Sequence, residues 1–393
     1  MPWRNGAGRR GCRLNKRNIF IALPVTGEEE WQAVREPLMS GWLTQGPKVA
    51  AFETAFAGRH DVRHALATTS CTTALHLILA AMNIGPGDEV IVPAFTWVAT
   101  ANVVLYCGAT PVFADVDRNT FNLDPSSVRS KVTSKTRAII AVHLFGLCAD
   151  MDAIAEAAPG IPIIEDAACA SGARYKGRSA GTLGKAGAFS FHPRKSITTG
   201  EGGMVTTDDA TFAETINMLR NHGASVSEEQ RHHGARPYLL PDFNLLGFNY
   251  RMTDLQGAVG LAQLAKLDGF IEERARWADY YRRELASVKW LRTPVVPAEY
   301  GHGWQSFVCY VDEQKAPMPR NRVMEALQER GISTRPGTHA VHMLGLYRER
   351  YGLSPDDYPG ARDCDRQTMA IPLHNRMSVE DYEYVVTALR ELG

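Results

Sequence analysis

Cysteine is scarce in this chain. The seven residues, at positions 12, 71, 107, 148, 169, 309 and 364, are odd in number and never form a CxxC pair. That scatter argues against a disulfide framework and a zinc ribbon, leaves no metal site to expect, and fits reduced thiols in a cytoplasm. Net charge is also missing: Lys+Arg and Asp+Glu both count 43. No overall field therefore favours nucleic acid or an anionic membrane as a partner. Long apolar runs are absent. The longest, "AIIAVHLFGLCA" at 138–149, is broken by His143 and Gly146 and falls short of the ~20 residues of a membrane span. Internal repeats are lacking too, which leaves small molecules as the expected ligands.

What is present is an ordinary globular composition, 45% hydrophobic and 22% charged over 393 residues. That length suits a core of ~250 residues plus a smaller second domain. The opening "MPWRNGAGRRGCRLNKR" carries six basic residues, no acid and three glycines. It has no apolar or amphipathic segment of the kind a targeting peptide needs. It reads as a disordered basic tail over residues 1–19, or as an artefact of the chosen start codon.

From residue 64 to about 221, short Val- and Ile-rich runs alternate with helical patterns. The strand candidates are "HALATT" (64–69), "EVIVP" (89–93), "PVFADV" (111–116), "AIIAVH" (138–143), "PIIED" (162–166), "AFSF" (188–191) and "MVTTD" (204–208). Their lack of polar alternation predicts strands buried on both faces. Helices are expected over 72–83, 96–107, 151–158 and 210–221. This alternation predicts a mostly parallel sheet in an α/β layered domain over residues 20–255. A connecting helix from about 254 and a small α+β domain complete the chain over 256–393. In such sheets ligands gather beyond the carboxyl ends of the strands. Ser70–Cys71–Thr72, Phe95–Thr96–Trp97, Asp166 and His192 to Lys195 all lie just past strand ends.

"FSFHPRKSITTGEGG" (189–203) is the sharpest stretch. A lysine here can be a surface charge, a phosphate clamp or a nucleophile. An ammonium at the reference pKa of ~10.4 is no nucleophile at neutral pH, but an apolar pocket or a second cation lowers that value. "FSFHP" supplies the apolar approach to Lys195, and "TTGEGG" lets the backbone pass close to a ligand. Asp166, 29 positions earlier at the end of "IPIIED", is either a helix cap or a partner for a heteroaromatic nitrogen. "TTSCTTAL" (68–75) offers small hydroxylic residues at a strand–helix junction, as an N-cap or an anion cradle. Ser190 can add a hydroxyl to it. Trp97 is either core or a stacking surface for a flat ring.

Four ordered stretches, "GDEVIVPAFTWVATANVVLYCGATPVFADVD", "PIIEDAACASGARYKGR", "SFHPRKSITTGEGGMVTTDD" and "GFNYRMTDLQGAVGLAQL", resemble the DegT/DnrJ/EryC1/StrS sugar aminotransferases. These are pyridoxal 5′-phosphate (PLP) enzymes of the aspartate aminotransferase fold type. The resemblance runs from about residue 20 to the closing "IPLHNRMSVEDYEYVV". It implies that Lys195, rather than Arg194, forms the internal aldimine, that Asp166 pairs with the pyridine nitrogen and that Trp97 stacks on the ring. By the same resemblance Ser190, Cys71 and Thr72 hold the phosphate. Asn249 reaches it from a second subunit, which implies a homodimer with shared active sites. Cys169 stands in "DAACASG" where many members carry glutamine or histidine, and a thiol is a weak partner for the cofactor's 3-hydroxyl.

The implied reaction moves an amino group from L-glutamate to a nucleotide-linked 3-keto or 4-keto deoxyhexose, with pyridoxamine phosphate as intermediate. Asp166 keeps the ring cationic, so that it accepts the electron pair. His192, Arg251 and His339 are candidates for the sugar pocket, together with "GWLTQGPKV" (41–49), the loop over 221–237 and "TRPGTHAVH" (334–342). Deoxysugar dehydration fits less well, because members that dehydrate have histidine at the position of Lys195. A keto-cyclitol acceptor, or a PLP-binding regulator without turnover, remains the alternative. A regulator usually carries a DNA-binding module, and no basic recognition segment is visible beyond the tail.

Overall fold

The computed structural model describes residues 17–225, 238 and 240–393. All seven expected strand runs form strands of one sheet: β1 (His64–Thr68), β2 (Glu89–Pro93), β3 (Thr110–Ala114), β4 (Thr136–Val142), β5 (Ile163–Asp166), β6 (Ala186–Ser190) and β7 (Gly203–Thr207). Their order across the sheet is β1–β7–β6–β5–β4–β2–β3, with β7 antiparallel to its neighbours and the other pairings parallel. Because β7 runs backwards, its first residue lies level with the last residues of β1 and β6. Gly203 is paired with both Thr68 and Ser190. Antiparallel insertion thus brings three chain segments to one edge.

Helices α1 (Glu28–Ser40), α2 (Pro47–His60), α3 (Cys71–Ala81), α4 (Ala99–Tyr106), α5 (Pro125–Lys131), α6 (Met151–Ala157) and α7 (Ala210–Leu219) surround the sheet. One core joins α3, α4 and α7 to one sheet face through Leu75, Ile78, Val103 and Ile216. The other joins α2, α5 and α6 to the opposite face through Phe52, Phe56, Val128 and Ile154. With both faces covered, the strands carry the near-continuous apolar runs seen in the sequence.

Three boundaries differ from expectation. Helix α4 starts at Ala99 rather than residue 96, because Phe95–Thr96 instead pairs as a short strand with His339–Ala340. The single connecting helix is two, α8 (Asp254–Leu264) and α9 (Leu267–Glu284). The break at Ala265–Lys266 lets α8 pack on α1 and α2, while α9 turns toward the C-terminal core. The expected disordered tail over 1–19 is overrun at its end. Ile19 is buried, its N–H donating to Gly331 O at 2.8 Å and its carbonyl accepting from Ser333 N at 2.9 Å. Burial of that apolar side chain ties the segment down; residues 1–16 lie outside the described residues.

The smaller α+β part is an antiparallel four-stranded sheet of Leu291–Arg292, Phe307–Val311, Thr368–Ile371 and Arg335–Pro336, in that order. Its core gathers Tyr281, Trp290, Phe307, Tyr382 and Val385. The short strand Arg335–Pro336 lies at the sheet's edge. Four residues on, the same segment pairs with Phe95–Thr96 of the larger domain.

Candidate active site

Lys195 lies in a turn just past β6, closed by its N–H donating to His192 O at 2.8 Å. Three contacts hold that turn from behind. Thr198 N donates to Gln263 Oε1 (3.3 Å), Gln305 Nε2 to Arg194 O (2.8 Å), and Arg274 Nη1 to Ser196 Oγ (3.4 Å). They come from α8, the C-terminal part and α9. The Lys195 amine itself sits 3.1 Å from Cys169 Sγ, the thiol that replaces the commoner glutamine or histidine.

Asp166 ends β5 and is buried. Its Oδ2 accepts from Thr100 Oγ1 at 2.8 Å and its Oδ1 from Ala168 N at 3.2 Å. Cys71 Sγ lies 3.9 Å from Oδ1 and 3.5 Å from Ala188 O. Burial above all, and next the Asp166 carboxylate, push the Cys71 thiol well above its usual pKa, while Lys195 pulls the other way. Cys71 is therefore a neutral S–H donor at pH 7. Thr100 was not legible as a site residue. It stands one helical turn beyond Trp97, whose carbonyl accepts its N–H at 3.1 Å.

Helix α3 begins beside this cluster. Its N-cap Ser70 accepts from Thr73 N at 3.1 Å, while the Cys71 and Thr72 N–H groups, the first two of the helix, have no acceptor among the described residues. A Cβ on Gly203 would fall 2.4 Å from Ser70 C and 2.6 Å from Cys71 N. Only glycine permits this approach, which brings the free amides up to the end of β6 and buried Ser190. Gly203 ends the "TTGEGG" stretch expected to let the backbone pass close to a ligand; what it approaches is the start of α3.

The remaining candidates are placed less uniformly. Trp97 is 59% exposed, its ring 5.7 Å from that of His339. His192 accepts at Nδ1 from Arg194 N (3.2 Å), and its Nε2 lies 4.0 Å from Glu201. Desolvation, opposed by Glu201, lowers its pKa below the usual 6.5, so the ring is neutral at pH 7. Arg251 pairs with Thr68 at the end of β1 and donates to Asn221 Oδ1 at 2.7 Å. Asn249 is exposed, and among the described residues no side-chain hydrogen bond joins it to the cluster. Of the 41–49 stretch, Gly46, Lys48 and Val49 give their N–H groups to buried Asp254, a helix-start anchor. Most of the 221–237 loop, residues 226–237, falls outside the described residues.

The donor set suits PLP on two counts. Asp166 is a buried carboxylate with no cation paired to it among the described residues, and a protonated pyridine nitrogen would supply the missing charge. The free amides of α3, with Ser190 alongside, suit a phosphate.

Known proteins give the same reading. The family model for the DegT/DnrJ/EryC1/StrS aminotransferase family matches residues 24–390. The spore coat polysaccharide biosynthesis protein SpsC of Bacillus subtilis (strain 168) is 41% identical over 384 residues, covering 96% of this chain and 98% of that protein. The structure resembles that of S. venezuelae DesV (34% identity, TM-score 0.84, 92% and 94% of the two chains). It also resembles the putative sugar aminotransferase Spr1654 of Streptococcus pneumoniae. That protein's PLP form is 28% identical with a TM-score of 0.88, covering 96% of this chain and all of its own, and a PMP form is also solved. Sequence, fold and donor set thus agree, and the chain belongs to the DegT/DnrJ/EryC1/StrS aminotransferase family of PLP-dependent sugar aminotransferases.

Proposed function

We propose that this enzyme transfers the amino group of L-glutamate to a nucleotide-linked 3-keto or 4-keto deoxyhexose, in the cytoplasm, at active sites shared across a homodimer. The observation that carries the reading is the Lys195 amine 3.1 Å from Cys169, in one cluster with buried Asp166. Bound PLP supplies an electron sink for the bonding pair at the donor's α-carbon. Lys195 Nζ is the group that would hold the cofactor, and its amine would serve as general base for the donor's α-proton. Asp166, its two oxygens fixed by Thr100 and Ala168, would keep a proton on the ring nitrogen. The α3 amides and Ser190 would hold the phosphate, and Trp97 would offer a face for the ring.

Two features support the wider reading. A relative named for spore coat polysaccharide biosynthesis favours an activated sugar as acceptor. The exposed apolar residues Leu240, Phe243 and Leu246, the last 91% exposed, lie just before Asn249, and a covering second subunit would bury them. The test is spectroscopic and kinetic. Holoenzyme should be yellow and change its visible absorbance on adding L-glutamate, and Lys195→Ala should lose that change. Mixed Lys195→Ala and Asn249→Ala proteins should regain activity if subunits exchange. Turnover of a keto-cyclitol with none of any nucleotide sugar would replace the acceptor. A fully active monomer would end the shared site.

A further inference from the structure

Lys195 and Cys169 together carry a chemistry that amino transfer does not use. The amine lies 3.1 Å from the thiol, and among the described residues no other hydrogen bond or ion pair reaches it. The two residues sit on the turns that leave adjacent parallel strands, β5 and β6. Each turn is closed by its own backbone: Ala170 N donates to Ala167 O at 2.9 Å, and Lys195 N to His192 O at 2.8 Å. Both side chains therefore start from fixed points on neighbouring strand ends.

The other described cysteines lack this combination. Cys71, Cys148, Cys309 and Cys364 are buried, and burial above all pushes each thiol up. Cys107 is half-buried, and burial pushes its thiol up to about 11. Among the described cysteines, Cys169 alone is both open to solvent and in contact with an amine. Hydroperoxides oxidise thiols of that kind, exposed and beside a cation, to a sulfenic acid. The Cys71 thiol, which could otherwise complete a disulfide, is directed at Asp166 Oδ1 (3.9 Å) and Ala188 O (3.5 Å). The nucleophile at hand is the Lys195 amine.

We propose that Cys169 and Lys195 form a reversible sulfur–nitrogen bond, driven by a hydroperoxide, that masks the cofactor lysine when PLP is absent. The peroxide transfers one oxygen to the Cys169 sulfur and leaves as an alcohol, or as water from hydrogen peroxide. The Lys195 nitrogen then attacks that sulfur, and the oxygen departs as water. In sum the thiol–amine pair loses two hydrogens and two electrons, the peroxide O–O bond breaks and an S–N bond forms. An external dithiol reverses the link. Its thiolate attacks the sulfur, the S–N bond breaks, the amine takes up a proton, and the second thiol resolves the mixed disulfide. The link depends on the geometry of this pair, while its consequence for cofactor binding rests on the reading of Lys195 given above.

The test treats the full-length protein, PLP-free and PLP-loaded, with hydrogen peroxide and maps its peptides without reduction. In PLP-free protein the peptides bearing Cys169 and Lys195 should appear joined, lighter than their sum by two hydrogens. The joined protein should fail to turn yellow with added PLP, and dithiothreitol should restore the colour. PLP-loaded protein should give roughly tenfold less of the joined peptide. Lys195→Ala should instead leave Cys169 as a sulfenic acid that dimedone traps, a readout that needs no cofactor. Cys169→Ser should keep under peroxide whatever uptake of PLP it shows untreated. The proposal is overturned if Cys169 is found in a disulfide with Cys71, oxidised to sulfinic acid with Lys195 free, or joined to Lys195 with an oxygen retained. A colour loss that Cys169→Ser shares overturns it too, as does equal dimedone trapping in wild type and Lys195→Ala. If the link forms in full and PLP still attaches, the masking fails together with the assignment of the cofactor to Lys195, and the link alone stands.

Discussion

The amine of Lys195 and the thiol of Cys169 are 3.1 Å apart, contributed by the turns after β6 and β5. Neither residue's neighbours in sequence predict this contact; adjacent parallel strands create it.

The first prediction concerns that pair. In cofactor-free protein Cys169 is partly exposed and should react with iodoacetamide. PLP should occupy the same space and slow that alkylation roughly tenfold or more. Mass mapping of the labelled cysteines checks it, with the buried Cys309 and Cys364 unlabelled in both forms. Equal labelling of Cys169 with and without PLP would separate the thiol from the cofactor site.

Thr100 should matter through Asp166. Thr100→Val keeps the shape of the side chain and removes the 2.8 Å hydrogen bond to the carboxylate. A bond to a charged group of this kind contributes about 1.5–3 kcal/mol. The expected result is a drop in kcat of about tenfold or more, with a changed pH dependence of the holoenzyme spectrum; Thr100→Ser should restore most of both. An unchanged spectrum and rate in Thr100→Val would show that Asp166 needs no such support.

Gly203→Ala should loosen the phosphate cradle. The new methyl meets the backbone of Ser70 and Cys71, which cannot swing aside as a side chain can. Overpacking of this sort costs about 1–3 kcal/mol, and here it should appear as weaker PLP binding as well as a lower Tm. Fluorescence titration of apoprotein with PLP measures the first. The same affinity as wild type would mean that the start of α3 does not hold the phosphate.

Acid stability should depend on His60. Its ring is buried against Phe56 and Phe189, with Nδ1–H donating to Phe56 O at 3.0 Å and Nε2 without a partner among the described residues. Burial drops its pKa from 6.5 to about 4. Between those values the unfolded chain binds a proton that the folded chain refuses, so stability is full above pH 6.5 and falls as pH declines toward 4. The loss reaches about 3 kcal/mol. Denaturant unfolding of His60→Phe should show a correspondingly flatter profile over that window. A profile parallel to wild type would assign the acid sensitivity elsewhere.

Much of the architecture was written locally. "EVIVP" became β2 over the expected residues, because an apolar run of four residues after Glu89, too short for a helix, is buried on both sides of the sheet. The helix expected from residue 96 failed at its start for a reason no local pattern carries. Thr96 has a distant partner, His339, and pairing with it outweighed helix propensity. The long helical pattern from 254 likewise concealed a break, since both halves have apolar faces but pack on different cores.

The sequence by itself determined the order of strands and helices, the placing of Lys195 just past a strand end and the acidic strand end at 166, because burial periodicity and motif spacing are local properties. Only the tertiary structure decided that Thr100 steadies Asp166, that Gly203 presses against the start of α3 and that Cys169 meets the Lys195 amine. Each of these depends on backbone brought together over tens to more than a hundred residues. Hydrogen bonds and steric contact act across a few ångströms of space, whatever the separation along the chain.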